Sequence, residues 1–447
     1  MKRRQFLRDL ASSGAGAGLA VMGAPLLLST NPSAAEANER ISVAVIGIRG
    51  RGNGLLKTFR SRSDVEIRYL CDVDSNVLSK RTEETEKDTG HRPKAIKDFR
   101  EALDDPAVHA VVLGTPDHWH AIPTIMACRA GKDVYVEKPD GHNILEGRTM
   151  VEAQRKYQRV VQLGTQWRST SHLLSAMEYI RSGNLGKVRL AKAWESARQG
   201  TIGKPADTEP PEGVDYDFWL GPAPKRPFNP KRFHSTWRWF FDYGTGDLGN
   251  DGVHRLDKAL RSLQEAARAE GRRVPLVPHK VAAMGGKLYY DDAQEWPDTQ
   301  LVTYQFEDFV LSYELRLWSP TAIYGLDGEG AAVFGDNGYL VFNHNGWRAF
   351  DADENLVKED SSEDSEMNHV ANFLDCVRSR TKPNADLETV GHPSSLLCHL
   401  GNVAWRSGEA VALDPTAYTF GENDAANQFL TRPVYREPWV LPELSKV

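Results

Sequence analysis

Residues 41–59 read ISVAVIGIRGRGNGLLKTF, and this stretch decides the fold of the first part of the chain. Ile41 to Ile46 is a short, nearly continuous apolar run, the pattern of a strand buried on both faces. It passes into Gly47, Ile48, Arg49, Gly50, Arg51, Gly52, Asn53 and Gly54, then into a helix carrying Leu55, Leu56 and Phe59. A glycine-rich turn between strand and helix lets the backbone approach phosphate oxygens closely, and the helix N-terminus attracts their charge. The usual G-x-G-x-x-G spacing would place glycines at 47, 49 and 52. Position 49 is arginine, so the motif alone is weak. Asp72 closes the next apolar run, where a carboxylate can accept the adenosine ribose hydroxyls and repel a 2′-phosphate. NAD is therefore expected over NADP, with Gly47, Arg49, Gly50, Gly52 and Asp72 as contacts. The competing reading has Asp72 or Asp74 capping a helix that begins near Ser75.

Outward from this turn, β-branched runs at 65–71, 110–114, 133–136 and 160–163 alternate with helical segments at 76–89, 118–130 and 144–157. That order predicts βαβ units, a parallel sheet and a Rossmann domain over residues 38–165. A helix at 171–182 and a strand at 188–195 follow, then a proline-rich loop. Strand pairs recur at 280–288, 300–306, 309–317, 331–335, 339–342 and 347–350. Residues 166–410 are expected to form an α+β substrate and oligomerisation domain with a large, mostly antiparallel sheet, closed by helices at 367–378 and 394–406. Residues 411–447 read as a C-terminal tail, and the acidic run Glu359 to Glu366 as a solvated loop.

The 447 residues carry 55 basic and 61 acidic side chains, a formal charge of −6. That balance argues against nucleic acid as a partner. Cys71, Cys128, Cys376 and Cys398 are too scattered for a disulfide framework or a metal knuckle and read as buried thiols. At the N-terminus, Lys2, Arg3 and Arg4 precede Phe6, Leu7 and a weakly apolar, Gly/Ala-rich run, with an A-x-A cleavage pattern at Ala35 and Ala37. Residues 1–37 thus resemble a twin-arginine signal peptide, which implies the twin-arginine translocase as a partner and export to the periplasm. The alternative is an uncleaved anchor holding the protein at the membrane.

Two further loops lie at the carboxyl ends of predicted parallel strands, the edge where open α/β sheets bind ligands. One reads Gly114, Thr115, Pro116, Asp117, His118, Trp119, His120; the other reads Tyr135, Val136, Glu137, Lys138, Pro139. The glycine turn, T-P-x-x-x-H and E-K-P, in this order, resemble the Gfo/Idh/MocA family of oxidoreductases over most of residues 41–406. The family's second signature is an aspartate four residues before a histidine on a helix. This chain reads Gly246, Asp247, Leu248, Gly249, Asn250, Asp251, Gly252, Val253, His254, with Asp257 one turn on. At 3.6 residues per turn, Asn250, His254 and Asp257 share a face. Asn250 stands where the family has aspartate, and an amide can orient an imidazole but cannot stabilise its charged form.

The resemblance implies that His254 exchanges the substrate hydroxyl proton, that Lys138 holds that hydroxyl, and that hydride passes to the nicotinamide. It adds Thr115, Pro116, His120, Glu137 and Lys138 itself to the cofactor contacts. Trp237, Arg238 and Tyr243, preceding the histidine helix, suit the apolar face and hydroxyl rim of a sugar ring, with Trp167, Arg168 and Asp251 as further candidates. No metal is expected from His118-x-His120, which has no suitably spaced third ligand. The implied activity is NAD-dependent oxidation of a CH–OH group in a sugar, polyol or glycoside. Export argues for a tightly held cofactor, as in the family's glucose-fructose oxidoreductase branch. The family's NAD-dependent glycosidases, which oxidise C3 transiently and then eliminate, would use the same residues. A carbohydrate-binding protein with a degenerate site is the third reading. An exposed sheet face is the candidate homo-oligomer interface.

Overall fold

The computed structural model describes residues 40–323, 328–343, 345–363 and 366–447. The basic leader and its cleavage pattern lie outside these residues. The first sheet is parallel, with strands β1 (Ile41–Ile46), β2 (Val65–Cys71), β3 (Lys94–Ile96), β4 (Ala110–Leu113), β5 (Asp133–Val136) and β6 (Val161–Leu163) in the order β3-β2-β1-β4-β5-β6. β1 is buried at every residue, as its continuous apolar run requires. Its two faces enter different cores. Val43 and Val45 pack with Leu56 and Phe59, whereas Ala44 and Ile46 pack with Val136 and Val151.

The second sheet has eight strands: β7 (Leu190–Glu195), β8 (Lys280–Gly286), β9 (Thr299–Gln305), β10 (Val310–Arg316), β11 (Glu329–Gly335), β12 (Gly338–Phe342), β13 (Gly346–Asp351) and β14 (Leu356–Ser361). Their order is β14-β13-β12-β11-β7-β10-β9-β8, antiparallel except for the β7–β10 pair. The helix Gly252–Ala269 covers one face, so Val253, Leu256, Leu260 and Leu263 share a core with Leu311, Tyr313 and Val333. The fold is thus a Rossmann domain followed by an α+β domain with a large, mostly antiparallel sheet.

Besides the short strand β3, which the sequence pattern does not mark, three segments depart from the sequence reading. Glu359 and Asp360 belong to edge strand β14, whose residues are all exposed; their charge protects an open edge from pairing. The helix Glu366–Ser379 returns to the first domain, where Val370, Phe373 and Leu374 pack against the β1 side of that sheet. The C-terminal stretch is a strap rather than a loose tail: Tyr418, Phe420 and Leu430 enter the core of the second domain, and Trp439 and Val447 enter the first. All four cysteines are buried and free.

Candidate active site

The carboxyl ends of the first sheet open into a cleft of about 570 Å³. Its cofactor edge is set by backbone. Gly47 has φ +74°, and a Cβ there would stand 2.9 Å from Thr115; Gly50 has φ +46°. A Cβ on Gly52 would fall 1.6 Å from the Gly47 carbonyl oxygen, so the following helix, Gly50–Arg60, sits directly on the loop. The loop therefore needs glycine at 47, 50 and 52, and Arg49 occupies an extended residue (φ −97°, ψ 165°) just before the helix. Gly52 is a packing residue and not a cleft residue: it lies beneath the loop that Gly47, Arg49 and Gly50 line.

Asp72 lines the same edge. Its Oδ2 accepts the Ile48 N–H at 2.9 Å and its Oδ1 the Asp74 N–H at 3.0 Å. Asp74, not Asp72, caps the helix Ser75–Thr89 by accepting from Asn76 and Val77. Burial pushes the Asp72 carboxyl upward, opposed by its backbone donors. Each Asp72 oxygen keeps a lone pair, so the glycine cradle and this carboxylate fit a dinucleotide with a ribose diol. Arg51, in the first turn of the helix, donates to Glu137 at 2.7 Å and to Glu366 at 2.5 Å, tying the E-K-P loop to the phosphate-binding turn.

Thr115, Pro116, Glu137 and Lys138 also line the cleft. His120 does not. It is buried, with ring nitrogens 2.6 Å from the Pro139 oxygen and 2.9 Å from the Thr115 oxygen, and it clamps the two loops together behind the site. Its neighbour Asp117 does reach the cleft, buried and accepting from the Thr245 hydroxyl at 2.7 Å.

The opposite wall comes from the second domain. The predicted single helix is broken at Asp251 into Gly246–Asn250 and Gly252–Ala269. The His254 N–H turns to the Asp251 carbonyl at 3.1 Å, and the Asn250 carbonyl accepts Lys138 Nζ at 2.6 Å instead. Asn250 Oδ1 accepts the same ammonium at 2.9 Å. Asn250 therefore holds Lys138, while Asp257, expected on the cleft face, is buried in a bidentate pair with Arg168 at 2.7 and 2.8 Å. His254 lines the cleft, and its Nδ1 has no hydrogen-bond partner among the described residues. Burial, then Lys138 and Arg255, push its pKa well below the usual histidine range, so the ring is neutral at neutral pH.

Around the cleft residue Asp251, Glu195, Asp247 and Asp251 bring carboxylate oxygens within 4.8 Å of one another. Arg255 provides counter-charge, 3.3 Å from Glu195 and paired with Glu329. Burial raises the pKa of both Glu195 and Asp247, with neighbouring carboxylates adding to it.

Trp237, Arg238 and Asp251 line the cleft as expected. Arg238 presents a buried Nε with no partner among the described residues. Three expected substrate residues do not line it. Arg168 is consumed by Asp257, Trp167 lies against the Lys258 ammonium at 4.5 Å, and Tyr243 is fully buried against Trp219 at 4.9 Å. Gln166 and Trp219 stand in the cleft in their place. No periodic signal marks either one, because the 3-10 turn at 166–169 and the proline-rich loop before Trp219 have no fixed face.

The family's NAD-binding Rossmann fold matches residues 41–165, and its C-terminal alpha/beta domain matches residues 191–309 and 324–441. The chain belongs to the Gfo/Idh/MocA oxidoreductase family. Among relatives, a levoglucosan dehydrogenase of Pseudarthrobacter phenanthrenivorans is 34% identical over 192 residues, 43% of this chain and 42% of that protein. A glycosyl hydrolase family 109 protein of Stenotrophomonas maltophilia is 26% identical over 306 residues, 65% of this chain and 63% of that protein. The matched segments thus span about half the length of these relatives. Among solved structures, levoglucosan dehydrogenase in complex with NADH and levoglucosan has a TM-score of 0.63 at 16% identity, covering 84% of this chain and 99% of that one. Aldose-aldose oxidoreductase from Caulobacter crescentus, complexed with glycerol, gives 0.62 at 18% identity, covering 84% and 100%. At these identities the structural matches establish a shared Gfo/Idh/MocA fold.

Proposed function

We propose that the chain is an NAD-dependent oxidoreductase acting on a secondary CH–OH group of a sugar, polyol or glycoside. The observation that carries this reading is the meeting of Lys138 and His254 in one cleft that also contains Asp72 and the glycine cradle. Bound NAD supplies a hydride acceptor. An ammonium has three N–H donors, and Asn250 takes two of those on Lys138, leaving one for a substrate hydroxyl. The neutral His254 ring can receive the hydroxyl proton, which makes it the general base for oxidation and the acid for the reverse reaction. The ammonium opposes negative charge building on the substrate oxygen. Trp237 offers an aromatic face and Arg238 a guanidinium at the cleft lining to the remaining hydroxyls.

The test is absorbance at 340 nm on purified protein, with and without added NAD, across sugars, polyols and glycosides; no reduction or ketone with any of them overturns the reading. A second reading, transient oxidation followed by elimination of an aglycone, draws on the match to the glycosyl hydrolase family 109 protein over 65% of the chain. It predicts aglycone release without net NADH, and exchange of the C2 hydrogen with deuterated water.

The leader supports export through the twin-arginine route to the periplasm with a cofactor loaded beforehand. Stoichiometric nucleotide released on denaturing exported protein supports this; empty protein counts against it. A homo-oligomer through the open face of the second sheet is supported by exposed Leu301 and Met284, and light scattering checks it.

A further inference from the structure

This inference rests on the oxidoreductase reading of the cleft and concerns how a chain with an amide at position 250 keeps Lys138 in place. The Asn250 amide is engaged at both ends. Its Oδ1 accepts from Lys138 Nζ at 2.9 Å, and its Nδ2 donates to Asp247 Oδ1 at 3.3 Å. Asp247 is almost fully buried at 1% exposure, accepts a second bond from Gln199 Nε2 at 3.1 Å, and has an Oδ2 with no partner among the described residues. A carboxylate presents two equivalent oxygens, whereas an amide presents an acceptor at one end and two donors at the other. Turned the wrong way, Asn250 would set its NH₂ against the Lys138 ammonium, donor against donor.

We propose that Asp247 is a positioning residue: as an acceptor-only group at the NH₂ end of Asn250, it fixes which way that amide faces and thereby holds Lys138 toward the cleft. Two elements make the arrangement possible. The helix break at Asp251 releases the Asn250 carbonyl for the same ammonium, and the short helix Gly246–Asn250 puts Asp247 one turn behind Asn250. The family's single aspartate is replaced by a pair in which one side chain touches the lysine and the other orients it.

The test is a double-mutant cycle on the full chain, read by turnover and by the ¹³Cε signal of Lys138, assigned with Lys138→Met, in protein without substrate. Asp247→Leu is expected to lower kcat by about tenfold, with KM for NAD little changed, and to move the Lys138 signal. Asp247→Asn still offers an acceptor and restores most of the rate. In an Asn250→Asp background both side-chain oxygens at position 250 accept, no orientation has to be chosen, and Asp247→Leu costs less than about twofold. Should leucine disturb folding, Asp247→Ala repeats the cycle with a smaller side chain. Equal losses from Asp247→Leu in both backgrounds, or an unmoved Lys138 signal, overturn the proposal. The signal is read without any substrate, so a failed search for dehydrogenase activity and a failed positioning role remain distinguishable.

Discussion

The cofactor edge of the cleft is made of backbone, whereas the facing wall is made of side chains held by other side chains. At the edge, what matters is the space a Cβ would occupy at Gly47 and Gly52. At the wall, Asn250, Asp247 and His254, with Lys138 reaching to them from the first domain, depend on partners and on burial. The difference teaches where each part tolerates change: the edge fails sterically, while the wall fails electrostatically with its fold intact.

The sharpest separation is Lys138→Met, expected to lower turnover on the order of 10³-fold while the NAD dissociation constant changes by less than about threefold; calorimetric titration with steady-state kinetics checks both. Gly52→Ala should do the opposite kind of damage. Its Cβ meets a backbone carbonyl that cannot swing away, so a loss of more than about 3 kcal/mol, and a melting point lower by at least about 3 °C, are expected together with weakened NAD binding.

A buried histidine outside the cleft, on the T-P-x-x-x-H loop, should reveal itself through pH. Burial holds His118 down to about 3, between the Trp219 and Tyr243 carbonyls. Below about pH 6.5 the unfolded chain protonates this ring and the folded chain does not, so stability falls with pH by up to about 1.4 kcal/mol per unit. His118→Gln removes that contribution. The stability gap between wild type and variant should therefore narrow or reverse from pH 7.5 to pH 4.5 in denaturant melts; a pH-independent gap contradicts a neutral buried ring. The smallest effect is expected from Asp72→Asn, which removes charge but keeps polar contact, and should reduce the preference for NAD over NADP by about tenfold in competition binding.

The paired-domain fold was legible because the strands of the first sheet are short apolar runs ending at glycine, aspartate and E-K-P, and because period-two patterning recurs in the second half. The site was legible where a motif fixes its own backbone, as at Gly47, Thr115, Pro116 and Lys138. It was not legible where a side chain's direction depends on a distant partner. Arg168 and Trp167 follow strand β6 as cleft residues would, yet Asp257 and Lys258 draw them away from the cleft. His120 has the look of a cofactor contact, but two carbonyls from separate loops hold it behind the site.

Local sequence by itself determined that there would be a strand, a glycine turn and a helix at residues 41–60, a carboxylate at Asp72, and a lysine at the end of β5, because backbone conformation and strand burial are set by neighbours along the chain. Only the tertiary structure decided that the histidine helix breaks at Asp251, that Asn250 serves Lys138, that Asp247 stands behind Asn250, and that Glu366 returns to Arg51. These outcomes pair residues up to 315 positions apart, and such partners are chosen by packing and buried charge rather than by local pattern.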